Sequence, residues 1–324
     1  MEEQRSVQEV ISKLKMTLGT KSDVMLWPEV KNTVLAKVTV SFFPPGATLL
    51  VPIMGEDSDH WASIAEQSGF NVIRLGSEWG ETIREEDIEL LWQSIGGKTI
   101  KGLLLTVHET STGLVVDVAP IAKTCREKGI GCVVSAWDTL GMVELAVDEW
   151  DVDVLVTGAS EAIHLVSTSK KALRGFQRTD DWQYPYGGQF SSQFLASIET
   201  MLEKNRLIEY QKIKKTLRAG IKTMGLELLV KRDEIASPVF TTIRLPGGVD
   251  VDQVLDDLVK QDMGGVNRLK RKENQIIRID HREYRTPQLI VALCHVLGTI
   301  VSSQGIPLRI QEGINRAQEV YYNE

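Results

Sequence analysis

Gly102-Leu-Leu-Leu-Thr-Val107, then Ala119-Pro-Ile-Ala-Lys-Thr-Cys-Arg-Glu-Lys128, then Gly131-Cys-Val-Val-Ser135 is the stretch that decides the fold class. Two short apolar runs flank a segment of helical character, and the order reads strand, helix, strand. The same alternation continues outward. Thr48 to Ile53 is a short apolar run ending at Gly55, residues 58 to 68 read as a helix, and Asn71 to Leu75 as another strand. On the other side Asp153 to Thr157 adds one more strand. Strands alternating with helices predict an α/β fold with a mostly parallel central sheet sandwiched by helices. At the start of the chain, Ser6 and Glu9 have the spacing of a capping box ahead of Val7, Val10, Ile11 and Leu14, and Gly19 is the expected stop.

Beyond about residue 205 the pattern changes. A long helical stretch runs from Arg206 to about Leu229, Val239 to Leu245 alternates like a strand, and Asp250 opens a helix with Val251, Val254, Leu255 and Leu258 on one face. Gln275 to His281 is strand-like, and a last pair of helices closes the sequence. The organisation predicted is a large domain over 1–210 and a smaller C-terminal α+β domain over 211–324, with the boundary inside the long helix.

The 324 residues carry a formal net charge of −7. An acidic chain has no surplus of Lys and Arg to displace counterions, so no nucleic-acid partner is expected. The run Arg268, Lys270, Arg271, Lys272 reads as a solvated loop. Three cysteines, Cys125, Cys132 and Cys294, form no Cys-x-x-Cys pair, which points to free thiols in a reducing, cytoplasmic setting and to no metal site. Leu289 to Val301 is the longest apolar stretch; it is broken by His295 and too short to span a bilayer.

Three further pieces carry chemistry: Val107-His-Glu-Thr-Ser-Thr-Gly113, Ala136-Trp-Asp-Thr-Leu-Gly141 and Val147-Asp-Glu-Trp-Asp-Val-Asp-Val-Leu-Val-Thr-Gly158. With their spacing, they resemble the heart of the class V aminotransferases, nearest the alanine–glyoxylate and serine–pyruvate branch. A fainter likeness at Ile276-Ile-Arg-Ile-Asp280 extends it over almost the whole chain. The resemblance implies fold type I and an active site at a homodimer interface. It implies pyridoxal phosphate chemistry too. In such enzymes a lysine bonds the cofactor and moves the substrate's alpha proton, and a carboxylate keeps the pyridine nitrogen protonated. A turn at a helix N-terminus holds the phosphate, an aromatic ring stacks on the pyridine, and an arginine grips the substrate carboxylate.

Carried over one position at a time, the match is partial. Glu161 stands where the lysine belongs, after Ser160, and Ser135 where the pyridine-nitrogen carboxylate belongs. Val30-Lys31-Asn32-Thr33-Val34 occupies the phosphate turn without a glycine, and Asp57 occupies the place of the stacking ring. Trp61, four residues on, is expected in the core. The family's Pro-Gly-Pro start and the Pro-Pro-Gly loop after the lysine have no counterpart. Thr110, Ser111 and Arg278 are retained; Arg278 matches the carboxylate-binding arginine, or else forms a salt bridge with Asp280 or Glu283. The turn from Glu109 to Gly113 is expected to satisfy strand-end backbone groups with its hydroxyls, and His108 to be a surface or hydrogen-bonded residue. The vestigial cofactor positions are thus Lys31, Asn32, Thr33, Asp57, Thr110, Ser111 and Ser160.

These departures lead to the expectation of a catalytically degenerate homologue that uses no cofactor. It would be a structural or regulatory subunit, either a homodimer or a heterodimer with an active aminotransferase. Two alternatives stand beside it. One is a binder of a small carboxylate ligand anchored on Arg278. The other is an active enzyme, either a transaminase with Lys170 or Lys171 in the lysine's role, or a cofactor-free acid–base catalyst using Glu161, Asp57 and His108.

Overall fold

The computed structural model of the chain describes residues 2–27, 29–96, 99–160, 163–170, 172, 198, 202, 206–269 and 275–323. In chain order the first elements are α1 (Glu2–Leu18), β1 (Asp23–Trp27), α2 (Lys31–Phe42), β2 (Thr48–Ile53), α3 (Glu56–Gln67), β3 (Asn71–Gly76), α4 (Glu85–Ser94), β4 (Ile100–Thr106), β5 (His108–Glu109), β6 (Leu114–Val115), α5 (Val118–Lys128), β7 (Gly131–Ala136), α6 (Val147–Trp150), β8 (Val154–Ser160) and β9 (Ile163–Thr168). They are followed by α7 (Arg206–Met224), β10 (Glu227–Leu228), β11 (Phe240–Arg244), α8 (Val251–Lys260), β12 (Val266–Arg268), β13 (Ile276–Asp280), a 3-10 turn (His281–Glu283), α9 (Pro287–Ser303) and α10 (Ile310–Asn323). Contacts divide the chain into two compact units: 1–78, 82–109 and 116–205 form the first, and 79–81, 110–115 and 206–324 the second.

In the first unit, seven strands among the described residues form one sheet in the order β1-β9-β8-β7-β4-β2-β3. The neighbours β3/β2, β2/β4, β4/β7 and β7/β8 are parallel, and β9 alone runs against the rest, antiparallel to both β8 and β1. Six of the seven residues of β4 are buried, as expected of a strand covered on both faces. Pro52, which has no N–H to give, falls beyond the last β2–β4 partners, Leu50 and Leu103. Val34, Leu35 and Val38 of α2 join Trp61, Ala62 and Ala65 of α3 over Leu49, Val51, Leu104, Val133 and Val156 of the sheet. Trp61 is in the core as expected, its indole N–H donating to Thr39 Oγ1 at 3.3 Å.

The second unit has an antiparallel sheet, β10-β11-β13-β12. The helices α7 and α10 cross at Gly220 and Gly313. A methyl group on Gly313 would lie 2.8 Å from the Gly220 carbonyl oxygen, so the close approach requires glycine.

The strands quoted from the sequence are present, with ends shifted by no more than three residues. Three readings need correction. Helix α1 begins at Glu2, so Ser6 lies inside it and is no cap; Glu2, Glu3 and Gln4 are good helix formers, and nothing there stops the helix. Helix α7 ends at Met224 rather than near Leu229, because Gly225 turns the backbone left-handed at φ 105° and β10 follows. The strands β1 and β9 and the helix α2 were absent from the sequence reading.

Candidate functional site

The C-terminal ends of β2, β4 and β7 carry the side chains of interest, as is usual for an open α/β sheet. Just past β4, the side chain of Glu109 is fully buried. It accepts from the backbone N–H of Asp57 at 2.9 Å and of Ser58 at 3.0 Å, and from the Ser58 hydroxyl at 2.9 Å. Those N–H groups belong to the first turn of α3. Glu109 therefore holds a negative charge against the positive end of that helix. Ser58 Oγ also accepts from the N–H groups of Met54 and Gly55 at 3.0 and 3.2 Å, which ties the end of β2 into the same knot. At the start of the 109–113 turn it is thus a carboxylate that satisfies the neighbouring helix's backbone groups, because an anion complements several converging donors.

Asp57, positioned by that knot, takes the ammonium of Lys31 at 2.8 Å. Lys31 opens α2 and also lies over the ring of Trp137, 4.9 Å from its centroid. Trp137 in turn meets His164 edge-on, with ring centroids 5.0 Å apart. Gly158 lets the indole approach, since a Cβ there would lie 3.0 Å from Trp137 Cε3. Burial pushes the His164 imidazole below its ordinary range and Lys31 adds to this, while a backbone hydrogen bond with Glu29 works the other way. Lys31 and Asp57, two positions named from the sequence, are thus brought together; Asn32 instead points to His60, its Oδ1 being 2.9 Å from Nε2. The sequence reading missed Trp137, His164 and Ser58 as members of the site. An aromatic residue two places after Ser135 was the available signal for the first.

Ser135 is buried, with its hydroxyl 3.4 Å from Thr106 Oγ1. Beside it the Ala136 carbonyl accepts from the hydroxyls of Thr139 and Thr157. Asp138 takes a left-handed conformation at φ 52°. His108 is not at the surface: it is buried, with Nδ1 2.8 Å from the Trp137 carbonyl oxygen, and this hydrogen bond accounts for its place. Glu161 and Lys171 lie outside the described residues, as do Lys270, Arg271 and Lys272 of the basic run; Lys170 is exposed, and Arg268 pairs with Asp252.

In the second unit, Arg278 donates through Nη1 to the Thr110 carbonyl at 3.0 Å and stacks 4.5 Å from the Phe240 ring centroid. The expected salt bridge with Asp280 is corrected, because that carboxylate is taken by Arg282 at 2.7 Å. Alternation along β13 puts residues 278 and 280 on one face, but Arg282, two residues beyond Asp280 and after the 3-10 turn begins, reaches its carboxylate through both Nε and Nη2. Ser111 is buried. Among the described residues, no group of three or more His, Cys, Asp or Glu could hold a metal ion, and no helix is long and apolar enough to cross a membrane.

The family model described as aminotransferase class-V matches residues 29–162. The chain is 24% identical to the L-aspartate–glyoxylate aminotransferase of Paracoccus denitrificans over 95% of its own length and 85% of the relative's. It is 24% identical to the soluble hydrogenase 42 kDa subunit of Anabaena cylindrica, covering 92% of this chain and 85% of that one. The crystal structure of the ureidoglycine–glyoxylate aminotransferase of Bacillus subtilis superposes with a TM-score of 0.85 at 22% identity, covering 98% of this chain and 90% of that one.

These relatives overturn the expectation that no cofactor is involved. Aminotransferases run on pyridoxal phosphate, which is the cofactor of the family. The physical reason is that the resemblance assigns the positions of Ser135 and Glu161 to ring electronics and proton transfer, whereas holding the group depends on phosphate and ring contacts. Those contacts fit it in part. No side chain caps the N-terminus of α2, so its first-turn N–H groups suit a phosphate, and the Lys31 ammonium lies beside them. Trp137 and His164 supply an aromatic wall. The Lys31→Ala variant is accordingly expected to weaken pyridoxal phosphate affinity about tenfold, near 1.4 kcal/mol, the low end for a charge-assisted contact. Thermal shift across a cofactor titration reads this, and an unchanged midpoint would remove Lys31 from the site.

Proposed function

We propose that this chain, which belongs to the class V aminotransferase family, is a catalytically degenerate homologue that serves as a structural or regulatory subunit, paired with itself or with an active relative. The observation that carries the reading is Ser135, a buried hydroxyl beside Thr106 where the resemblance calls for a carboxylate. Pyridoxal phosphate, when bound, supplies an electron sink that works well only while its ring nitrogen stays protonated. A neutral hydroxyl stabilises that proton far less than an anion does. Glu161, at the lysine's place in the sequence, has no amine to bond an aldehyde carbon and at neutral pH carries a charge that repels a phosphate. What the other residues do is bind and orient: Lys31 and the start of α2 attract an anion, Trp137 and His164 wall it, and Glu109 fixes the turn bearing Asp57. The similarity to a protein named as a hydrogenase subunit supports a role within an assembly.

A second reading is favoured by Arg278, whose Nε is buried without a hydrogen-bond partner while its Nη1 is anchored on Thr110. Such a guanidinium suits a small carboxylate ligand. One set of measurements separates the readings. With pyridoxal phosphate supplied, the purified protein is expected to transfer no amino group from L-aspartate to glyoxylate above a protein-free control. Turnover, together with a borohydride-trapped increment at one lysine such as Lys170 or Lys171, would overturn the degenerate reading and establish an aminotransferase with an unconventional site. A rise in melting temperature with glyoxylate or L-aspartate alone, abolished by Arg278→Ala, would favour the carboxylate binder.

A further inference from the structure

The second unit contains a cavity of about 530 Å³ that the preceding reading does not use. Its wall is one face of α7, where Lys215, Arg218 and Lys222 recur at helical spacing. Lys231 and Arg316 also line it but are paired with Glu227 at 3.5 Å and Glu319 at 2.8 Å, so Lys214, Lys215, Arg218 and Lys222 against Asp233 and Glu234 leave a local charge of +2. The whole chain is at −7, so this concentration runs against its composition.

The cluster has a fixed floor and a free rim. Arg218 is 4% exposed, and its guanidinium is held by Asp233 at 2.6 Å and by the Val230 carbonyl at 2.9 Å. Lys214 donates to the carbonyls of Asp233 and Ala236 at 3.2 and 3.4 Å, which fixes its ammonium in the same floor. Burial holds the Lys214 ammonium below the usual lysine range, and the Arg218 charge beside it lowers it further. Two cations thus sit side by side on the floor, and an anion would offset their repulsion. At the rim, Lys215 and Lys222 are exposed and make no ion pair among the described residues. The volume is in the range of sites that take a small metabolite.

We propose that this cavity binds a small phosphate-bearing metabolite, with Lys215 and Lys222 as the contacting ammonium groups and Arg218 and Lys214 as its fixed positive floor. Ammonium groups act as mobile point charges that suit a tetrahedral, multiply charged phosphate, whereas a planar carboxylate is matched by the fork of a free guanidinium. Here the one buried guanidinium is already engaged by Asp233.

Inorganic pyrophosphate is the probe, titrated calorimetrically into the full chain, into Lys31→Ala, and into the Lys215→Gln, Lys222→Gln double variant. Both lysines are exposed, so the double variant is expected to fold. The expected result is binding that persists in Lys31→Ala, weakens at least about tenfold in the double variant, and falls as salt is raised. No heat of binding to the full chain would overturn the proposal, as would binding lost in Lys31→Ala and kept in the double variant. Equal affinity for citrate would overturn the assignment to phosphate, and tighter binding of a single-stranded oligonucleotide than of pyrophosphate would overturn the assignment to a small molecule.

Discussion

Glu109→Ala is expected to destabilise the first unit by about 3–5 kcal/mol, the cost of breaking a buried charged network from one side. The Glu109 carboxylate accepts three hydrogen bonds, two of them from backbone N–H groups in the first turn of α3. Alanine leaves those donors buried, and each unsatisfied group costs about 1–3 kcal/mol. It also removes the negative charge from the positive end of the helix, worth up to about 2 kcal/mol in a partly buried setting. Glu109→Gln keeps the shape and one acceptor oxygen, so its loss is expected to be about half as large. Urea unfolding, with hydrogen exchange of the peptide spanning Glu56 to Gln67, reads both the global and the local effect. A loss below about 1 kcal/mol for Glu109→Ala would mean that water replaces the carboxylate and that the knot is not structural. The variant has a second consequence. Asp57 is placed by its own N–H bond to Glu109, so the Lys31–Asp57 pair should loosen with it, and the cofactor-dependent thermal shift should change in Glu109→Ala even at temperatures where the unit remains folded.

That knot also marks the limit of what the sequence made legible. The sheet was readable because buried strands leave local traces: apolar runs such as Leu103-Leu-Leu105 and Val133-Val134, punctuated by glycine and separated by helical spacing. Trp61 was readable as core for the same reason. The links between elements left no such trace. Glu109 reaches Asp57 across 52 residues and Lys31 reaches Asp57 across 26, and no short-range pattern encodes either pairing. Strand β9 went unrecognised, because its sequence, Ile163-His-Leu-Val-Ser-Thr168, has to be paired with β8 and β1 before its buried character means anything. Arg278 was placed against a neighbour in sequence, Asp280, yet its anchor is the backbone of Thr110, 168 residues away. The expectation of no cofactor failed in a related way. The lysine, pyridine-carboxylate, phosphate-turn and stacking-ring positions were each read along the sequence, where the packing that brings Lys31 against Trp137 leaves no trace.

The second large effect is a pH dependence seated on His281 in the second unit. The imidazole is fully buried, with Nδ1 2.6 Å from the Pro238 carbonyl oxygen and Nε2 2.8 Å from Thr241 Oγ1. The carbonyl can only accept, so Nδ1 carries the proton, and Nε2 accepts from the threonine hydroxyl. Both nitrogens are satisfied with the ring neutral. A second proton would sit on Nε2, break the bond from Thr241 as it stands, and bury a charge near Lys214 and Arg218. Burial accordingly pushes His281 down to about 4, although the Pro238 bond and Asp280 pull the other way. The unfolded chain takes up this proton at about pH 6.5. Between those values the unfolded state binds the extra proton and the folded state does not, so stability rises with pH through that window. The contribution is complete above about pH 6.5 and is lost as pH falls toward 4, amounting to about 3 kcal/mol over the window. Hydrogen exchange of β11 and β13 in increasing urea, at several pH values, measures it within the second unit. In His281→Asn, whose amide can donate to Pro238 and accept from Thr241 without titrating, this part of the slope is expected to vanish whatever the absolute stability. If the variant keeps the wild-type slope, the acid sensitivity of the unit belongs to other groups, and the neutral buried imidazole plays no part in it.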